Sequence, residues 1–174
     1  MDIFMPMSTT ERHNKFTGTI FGRILGLLES NEIRAWNTEG ALVYLGTRKE
    51  NGYRALVDVE NFNKRSINEL EYIQPDFMLF QKNKCYANKS GTRIAGFPDL
   101  VVEIWSTGND SRERMFKKDL YSTSELTEQW YISQNSNIVE CYMGGKKTDD
   151  KCLTEVLVSK HGIEFDLRYL ALQS

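Results

Sequence analysis

Apolar residues recur at helical spacing near the N-terminus. Phe16, Ile20, Phe21, Ile24, Leu25, Leu27 and Leu28 fill a broad arc of a helix predicted over about Thr9–Ser30. Ser8 and Glu11 stand at capping-box spacing at its start. Gly18, Gly22 and Gly26 lie on the other side. Each mid-helix glycine costs about 0.5–1 kcal/mol relative to alanine. Three on one stripe predict a close approach there, by a loop of the same chain or by a partner subunit. The pattern then changes to short runs rich in β-branched and large apolar residues: Glu32–Asn37, Ala41–Thr47, Tyr53–Val59, Gln74–Phe80 and Phe97–Trp105. Asn51–Tyr53 predicts a turn between two of them. A second helix is predicted from near Asp110 to about Thr123, with Asp110 and Glu113 again at cap spacing. The strands QWYIS, NIVECYM, LTEVLVS and IEFDL follow, and Met143–Lys151 reads as a surface hairpin loop. This order predicts an α/β (α+β) fold: a mixed sheet with helices packed on it and extra C-terminal strands.

No repeat or linker divides the 174 residues, so a single domain over residues 1–174 is expected. The 9 Phe, 8 Tyr and 3 Trp supply a core and exclude disorder as the dominant state. No apolar run approaches the ~20 residues of a membrane helix. The formal charge of -2 excludes a strongly basic nucleic-acid coat, though not a local basic face. Cys85, Cys141 and Cys152 are odd in number and widely spaced, which suits reduced thiols better than a disulfide framework or a zinc knuckle. The start MDIFMPMSTT has no export pattern, so the expected location is the cytoplasm.

Two of the three prolines stand before aspartate at strand entrances, Pro75-Asp76 and Pro98-Asp99. In the second strand, alternation puts Leu100, Val102 and Ile104 on one face and Asp99, Val101, Glu103 and Trp105 on the other. Glu103 then lies mid-strand near the centre of the sheet. A carboxylate there is costly unless it is paired, protonated or bound to a metal. An arginine could satisfy it. If the strand QPDFMLF is a neighbour, Asp76 and Glu103 converge and repel, and a divalent cation removes that penalty. Such an oxygen-rich site suits Mg²⁺ or Mn²⁺. With only His13 and His161 in the chain, zinc is disfavoured. On the second helix, Glu113, Lys117 and Tyr121 share a face. Lys117 either pairs with Glu113 on the surface or reaches back over the carboxylates, where an ammonium would orient water or neutralise phosphoryl charge.

Taken together, Gln74–Asp76, then GFPDLVVEIWS (Gly96–Ser106), then a helix with Lys117 and Tyr121, then EQWYIS (Glu128–Ser133) resembles the Uma-two family. These are restriction-endonuclease-like proteins of the PD-(D/E)XK nuclease superfamily. The resemblance covers essentially the whole chain and starts at MPMSTTERH. It implies a restriction-endonuclease-like central sheet, with Asp76 as the first metal-binding acid and Glu103 as the second. Many superfamily members carry a lysine two residues after the second acid; Trp105 stands there, and Lys117 matches its replacement in this family. Asp99, Tyr121 and His13 match family positions and are expected to support the site, with a helix-start contact as the alternative for His13. The chain departs from the pattern at Ser106-Thr107, at Gln129 and in a short or missing strand before Met5.

The implied activity is that of a metal-dependent DNA endonuclease hydrolysing phosphodiester bonds with Mg²⁺ or Mn²⁺. DNA contact needs cations. Lys82, Lys84, Lys89 and Arg93 lie between the two acid-bearing strands, and Arg112, Arg114, Lys117 and Lys118 near the start of the second helix. They flank a cleft or are merely solvated. Two other readings stay open. One is an inactive module of the same fold that binds nucleic acid or protein, including a homodimer through the glycine-striped helix. In the other, Asp76 and Glu103 never meet.

Overall fold

The stripe Phe16, Ile20 and Ile24 repeats every four residues, and all three side chains are buried. Each such burial contributes about 1.5–3 kcal/mol, enough to dock the helix that carries them. That helix, α1, runs Glu11–Leu28. The computed structural model describes residues 11–28, 33–37, 42–49, 52–55, 70–81, 86–87, 93–106 and 108–172. The buried arc is narrower than expected: Phe21 is half-buried and Leu25 is 48% exposed. Added methyl groups at Gly18, Gly22 and Gly26 would meet nothing within 4 Å. Among the described residues, no segment of this chain makes the expected close approach. The proposed helix cap at Ser8 lies outside them.

Six strands form the main sheet, in the order β1 (Ile33–Asn37), β5 (Phe77–Gln81), β8 (Leu100–Trp105), β9 (Glu128–Ser133), β10 (Ile138–Met143) and β11 (Lys146–Cys152). The β8 and β9 strands run parallel, so their link must cross over, and it does so through the helix α2 (Ser111–Tyr121). The other pairings are antiparallel, which makes the sheet mixed as expected. A second sheet has β3 (Gly52–Ala55), β2 (Leu42–Lys49), β7 (Arg93–Ala95) and β6 (Tyr86–Ala87), with β4 (Leu70–Ile73) also on β2. Of the turn expected at Asn51–Tyr53, Asn51 lies outside the described residues, while Gly52 and Tyr53 belong to β3, which pairs antiparallel with β2.

Every residue of β8 is buried because both faces of the sheet are covered. Leu100, Val102 and Ile104 join the α1 side chains, Phe77, Trp130 and Ile132 in one core. Val101 joins Met78, Phe80, Leu120 and Tyr121 in another, on the α2 side. The extra C-terminal strands are β12 (Val156–Val158) and β13 (Glu164–Asp166), a hairpin followed by a 3-10 turn at Arg168–Leu170. They close the first core: Phe165 meets Phe77 and Trp130 edge-on, with ring centres 6.5 and 5.3 Å apart.

One expected loop is a strand. Residues Lys146–Cys152 form β11, the outer edge of the main sheet, and only the tight turn at Gly144 and Gly145 remains of the predicted loop. Its exposed charges and the bulge at Cys141/Tyr142 mark it as an edge protected from pairing with other chains.

Candidate active site

The register places the two acids side by side. Phe77 pairs with Val102, so Asp76, one residue earlier, stands next to Glu103 across the antiparallel pair. Pro75 has no N–H to offer a ladder, and the Asp76 side chain takes up the pairing instead. The Ile104 N–H donates to its Oδ2 at 2.7 Å. From α1, His13 Nε2 lies 2.8 Å from its Oδ1. That hydrogen bond raises His13 above the usual imidazole value, against the lowering effect of burial. Asp76 thus ties the first helix to the central strand.

Glu103 has no solvent exposure. Its two oxygens face α2, which presents two donors one turn apart. Tyr121 Oη donates to Oε1 at 2.6 Å, and Lys117 Nζ donates to Oε2 at 2.8 Å. The 3.6-residue period puts Lys117 and Tyr121 on one face. Asp110 caps the start of α2 by accepting the Arg112 N–H, and buried Leu120 anchors it. Burial pushes the Glu103 carboxyl up to about 7, despite the opposing charge of Lys117, and the charge of Asp76 adds to the rise. Burial alone would lower Lys117, but the charges of Glu103 and Asp76 outweigh it and raise this lysine. Burial and the Glu103 charge push the Tyr121 phenol well up, so it stays a donor.

Four of the expected residues therefore gather around Glu103: Lys117 and Tyr121 bond to it directly, Asp76 stands beside it across the strand pair, and His13 lies behind Asp76. Asp99 does not join them. It precedes the other end of β8, where its Oδ2 accepts the Gln81 N–H at 2.7 Å and its backbone N–H donates to Leu79. At the rise of a strand, four residues separate it from Glu103 by roughly 13 Å. Its support is structural, fixing the end of β5 on β8.

The expected DNA contacts divide. Arg112 is open, with its side chain 87% exposed and a loose partner in Asp110 at 3.8 Å. Lys118 is enclosed: its ammonium lies 4.6–5.1 Å from the ring centres of Tyr142, Tyr131 and Trp105 and 3.1 Å from Glu140. Lys118, one of the expected DNA contacts, is thus held among these rings while 30% of its side chain stays exposed. Arg114 lies over Trp105 and donates to the Ser106 carbonyl. Lys82, Lys84 and Lys89 fall outside the described residues, and Arg93 opens β7 with its side chain outside them.

Two residues near the site escaped the sequence reading. Glu113 drew notice only as a cap and a surface pair, yet its Oε1 lies 3.5 Å from Lys117 Nζ inside the cluster. Asn109 had no signal at all. Its amide donates to Glu113 Oε2 at 3.4 Å while its Oδ1 accepts the Ser106 N–H at 2.7 Å.

The donor set for a cation is the carboxylate pair. Among the described residues, no three His, Cys, Asp or Glu side chains gather as a group that could hold a metal ion. Mg²⁺ needs fewer, because it keeps several waters and takes one or two carboxylates. Each oxygen of Asp76 and Glu103 accepts one hydrogen bond from the protein. Each keeps a second lone pair. The raised value of Glu103 signals a buried negative charge that its donors only partly compensate. Hard oxygen donors with a deficit of positive charge fit a divalent cation of this kind.

No helix among the described residues is long and apolar enough to cross a membrane. No curated protein matches the chain. Among solved structures, the chain resembles a crystal structure from Anabaena variabilis titled as a "putative nuclease belonging to DUF820", with a TM-score of 0.66 and 13% identity over 99% of this chain and 87% of that one. The likeness shows a shared fold. Residues 3–169 match the family described as "Uma2: Putative restriction endonuclease", and with nearly its whole length in that match the chain belongs to the Uma2 family.

Proposed function

We propose that the protein hydrolyses phosphodiester bonds in DNA with the help of a divalent cation held by Asp76 and Glu103. One observation carries the reading: three separate elements bring two carboxylates and a lysine ammonium together, with the ammonium 2.8 Å from the central acid. Mg²⁺ or Mn²⁺ bound there supplies polarisation of a phosphoryl oxygen and a more acidic water. The chain supplies the rest. His13 and the Ile104 N–H orient Asp76, Tyr121 orients Glu103, and Lys117 stands ready to stabilise negative charge that develops on the phosphoryl group. Arg112, exposed near the start of α2, would meet a phosphate.

A second reading has its own support. All four oxygens of the two acids already accept a protein donor, and no third acid or histidine completes a metal group among the described residues. An inactive module that keeps the fold and binds nucleic acid or protein would show this same closed network.

Cleavage of single-stranded, duplex and branched DNA with Mg²⁺ or Mn²⁺ separates the two, with wild type beside Glu103→Gln. Metal-dependent cutting that disappears in a folded variant supports the nuclease. No cutting of any substrate, with no cation binding by calorimetry, supports the inactive module.

A further inference from the structure

Lys117 has a second anion that the proposed reaction does not use. An ammonium has three donors, and three acceptors surround this one: Glu103 Oε2 at 2.8 Å, Glu113 Oε1 at 3.5 Å and the Gln74 carbonyl at 3.4 Å. All three charged side chains are nearly withdrawn from water, with relative exposures of 10% for Lys117, 1% for Glu103 and 13% for Glu113. Charges so placed interact far more strongly than a surface pair on a helix.

Glu113 is not a loose arm. Its far oxygen accepts from Asn109, and Asn109 is pinned in turn by the Ser106 N–H and hydroxyl at the end of β8. Its near oxygen is left facing the lysine. A chain of contacts therefore runs from the end of β8 through Asn109 and Glu113 to Lys117, and back to the same strand at Glu103.

We infer that Glu113 is the positioning residue that receives the Lys117 ammonium when a cation takes its place on Glu103. The inference rests on the cation reading above. A cation arriving at Glu103 repels Lys117, which is buried and would be costly to leave unpaired. Glu113 lies one helical turn away on the same helix, so a small side-chain rotation transfers the ammonium without moving α2. Lys117 then stays beside the reacting region, still charged, and no longer competes for the carboxylate.

A double-mutant cycle on cation affinity tests this without relying on activity. Mn²⁺ binding is measured by calorimetry for wild type, Glu113→Gln, Lys117→Met and the double variant, each checked for folding by circular dichroism. If Glu113 works by receiving the ammonium, Glu113→Gln weakens Mn²⁺ binding about tenfold when Lys117 is present and about twofold or less when it is Met, a coupling of ordinary size for contacting residues. An equal loss in both backgrounds means that Glu113 acts only through its field, and overturns this inference alone. If wild type binds no Mn²⁺, the inference and the cation reading fall together. Should Lys117→Met not fold, Glu113→Asp supplies the contrast: it keeps the charge and withdraws it from reach. A tenfold loss there supports positioning, and wild-type affinity overturns it.

Discussion

Burying Glu103 carries a cost that depends on pH. The carboxyl titrates at about 7 in the folded chain, against 4.5 for the free side chain, because burial disfavours its charged form. The unfolded chain gives up this proton first as pH rises. Stability tied to the neutral carboxyl is therefore complete below pH 4.5 and is lost as pH rises through about 7. The interval amounts to about 3 kcal/mol, with the attraction of Lys117 already included. Glu103→Gln keeps the shape and stays neutral. Its amide can accept from Lys117 and donate to Tyr121, so the hydrogen bonds persist. In metal-free buffer with a chelator, the variant should be more stable than wild type by about 3 kcal/mol at pH 8, or roughly 6–12 °C in melting temperature at this chain length. The advantage should nearly vanish at pH 4.5–5. His13 is also raised and loses stabilisation in the same direction, but it is present in both proteins, so the comparison removes most of its effect. Thermal and urea melts of the two proteins at both pH values decide the matter. A difference that does not change with pH, or a wild type as stable as the variant at pH 8, refutes the argument that burial dominates at Glu103.

Divalent cations should raise the melting temperature of wild type at pH 8 and leave Glu103→Gln unchanged, since only the charged acid gains from the ion; equal effects on both would place the ion elsewhere. Tyr121→Phe removes the 2.6 Å donor to Glu103, and urea melts should show a loss of about 1–3 kcal/mol at pH 8 and a smaller one at pH 5. Lys118→Gln should cost about 1 kcal/mol through lost contacts with three rings and Glu140. Its DNA affinity, measured in the Glu103→Gln background by fluorescence anisotropy, should stay within about twofold if the rings and Glu140 occupy the ammonium; weaker binding with unchanged melting would mark Lys118 as a DNA contact. Asp110→Ala should lower the unfolding free energy by about 1 kcal/mol, read as a lower urea midpoint with an unchanged m-value, as expected for a lost helix cap.

The central strand was legible because its signal is local. Alternation along Asp99–Trp105 sorts the two faces correctly, and a lone acid among β-branched residues stands out. Asp110 announced the second helix in the same local way. The antiparallel neighbour bearing Asp76 could be posed only as a condition, since register is set by pairing rather than by either strand alone. Residues Lys146–Cys152 hid as a loop because an edge strand exposed to solvent needs no apolar alternation. The surroundings of Lys118 were hidden for a different reason. Its rings come from three strands that are distant in sequence, and nothing in the helix itself points to them. Spacing could have promoted Glu113, four residues before Lys117, but spacing alone does not tell a buried pair from an exposed one.

The place of Trp105 explains why the ammonium comes from a helix. Trp105 shares a face of β8 with Glu103, so a lysine there would approach the same carboxylate. Instead the indole packs against Tyr131, with ring centres 4.5 Å apart, and carries Arg114 and Lys118 over its ring. That position serves packing between the sheet and α2, and an ammonium on the strand would have to displace it. Moving the charge to α2 has a physical consequence. The acids are set by the sheet, with Asp76 fixed to β8 through the Ile104 N–H and to α1 through His13. Both donors to Glu103 are set by one helix face. A shift of α2 along its axis by a single residue rise, 1.5 Å, would move Lys117 and Tyr121 together while the acids stay in place. The helix cap at Asp110, the buried Leu120 and the aromatic enclosure of Lys118 all oppose such a shift. The packing that excluded a lysine from the strand is thus part of what holds the lysine of the helix in register with Glu103.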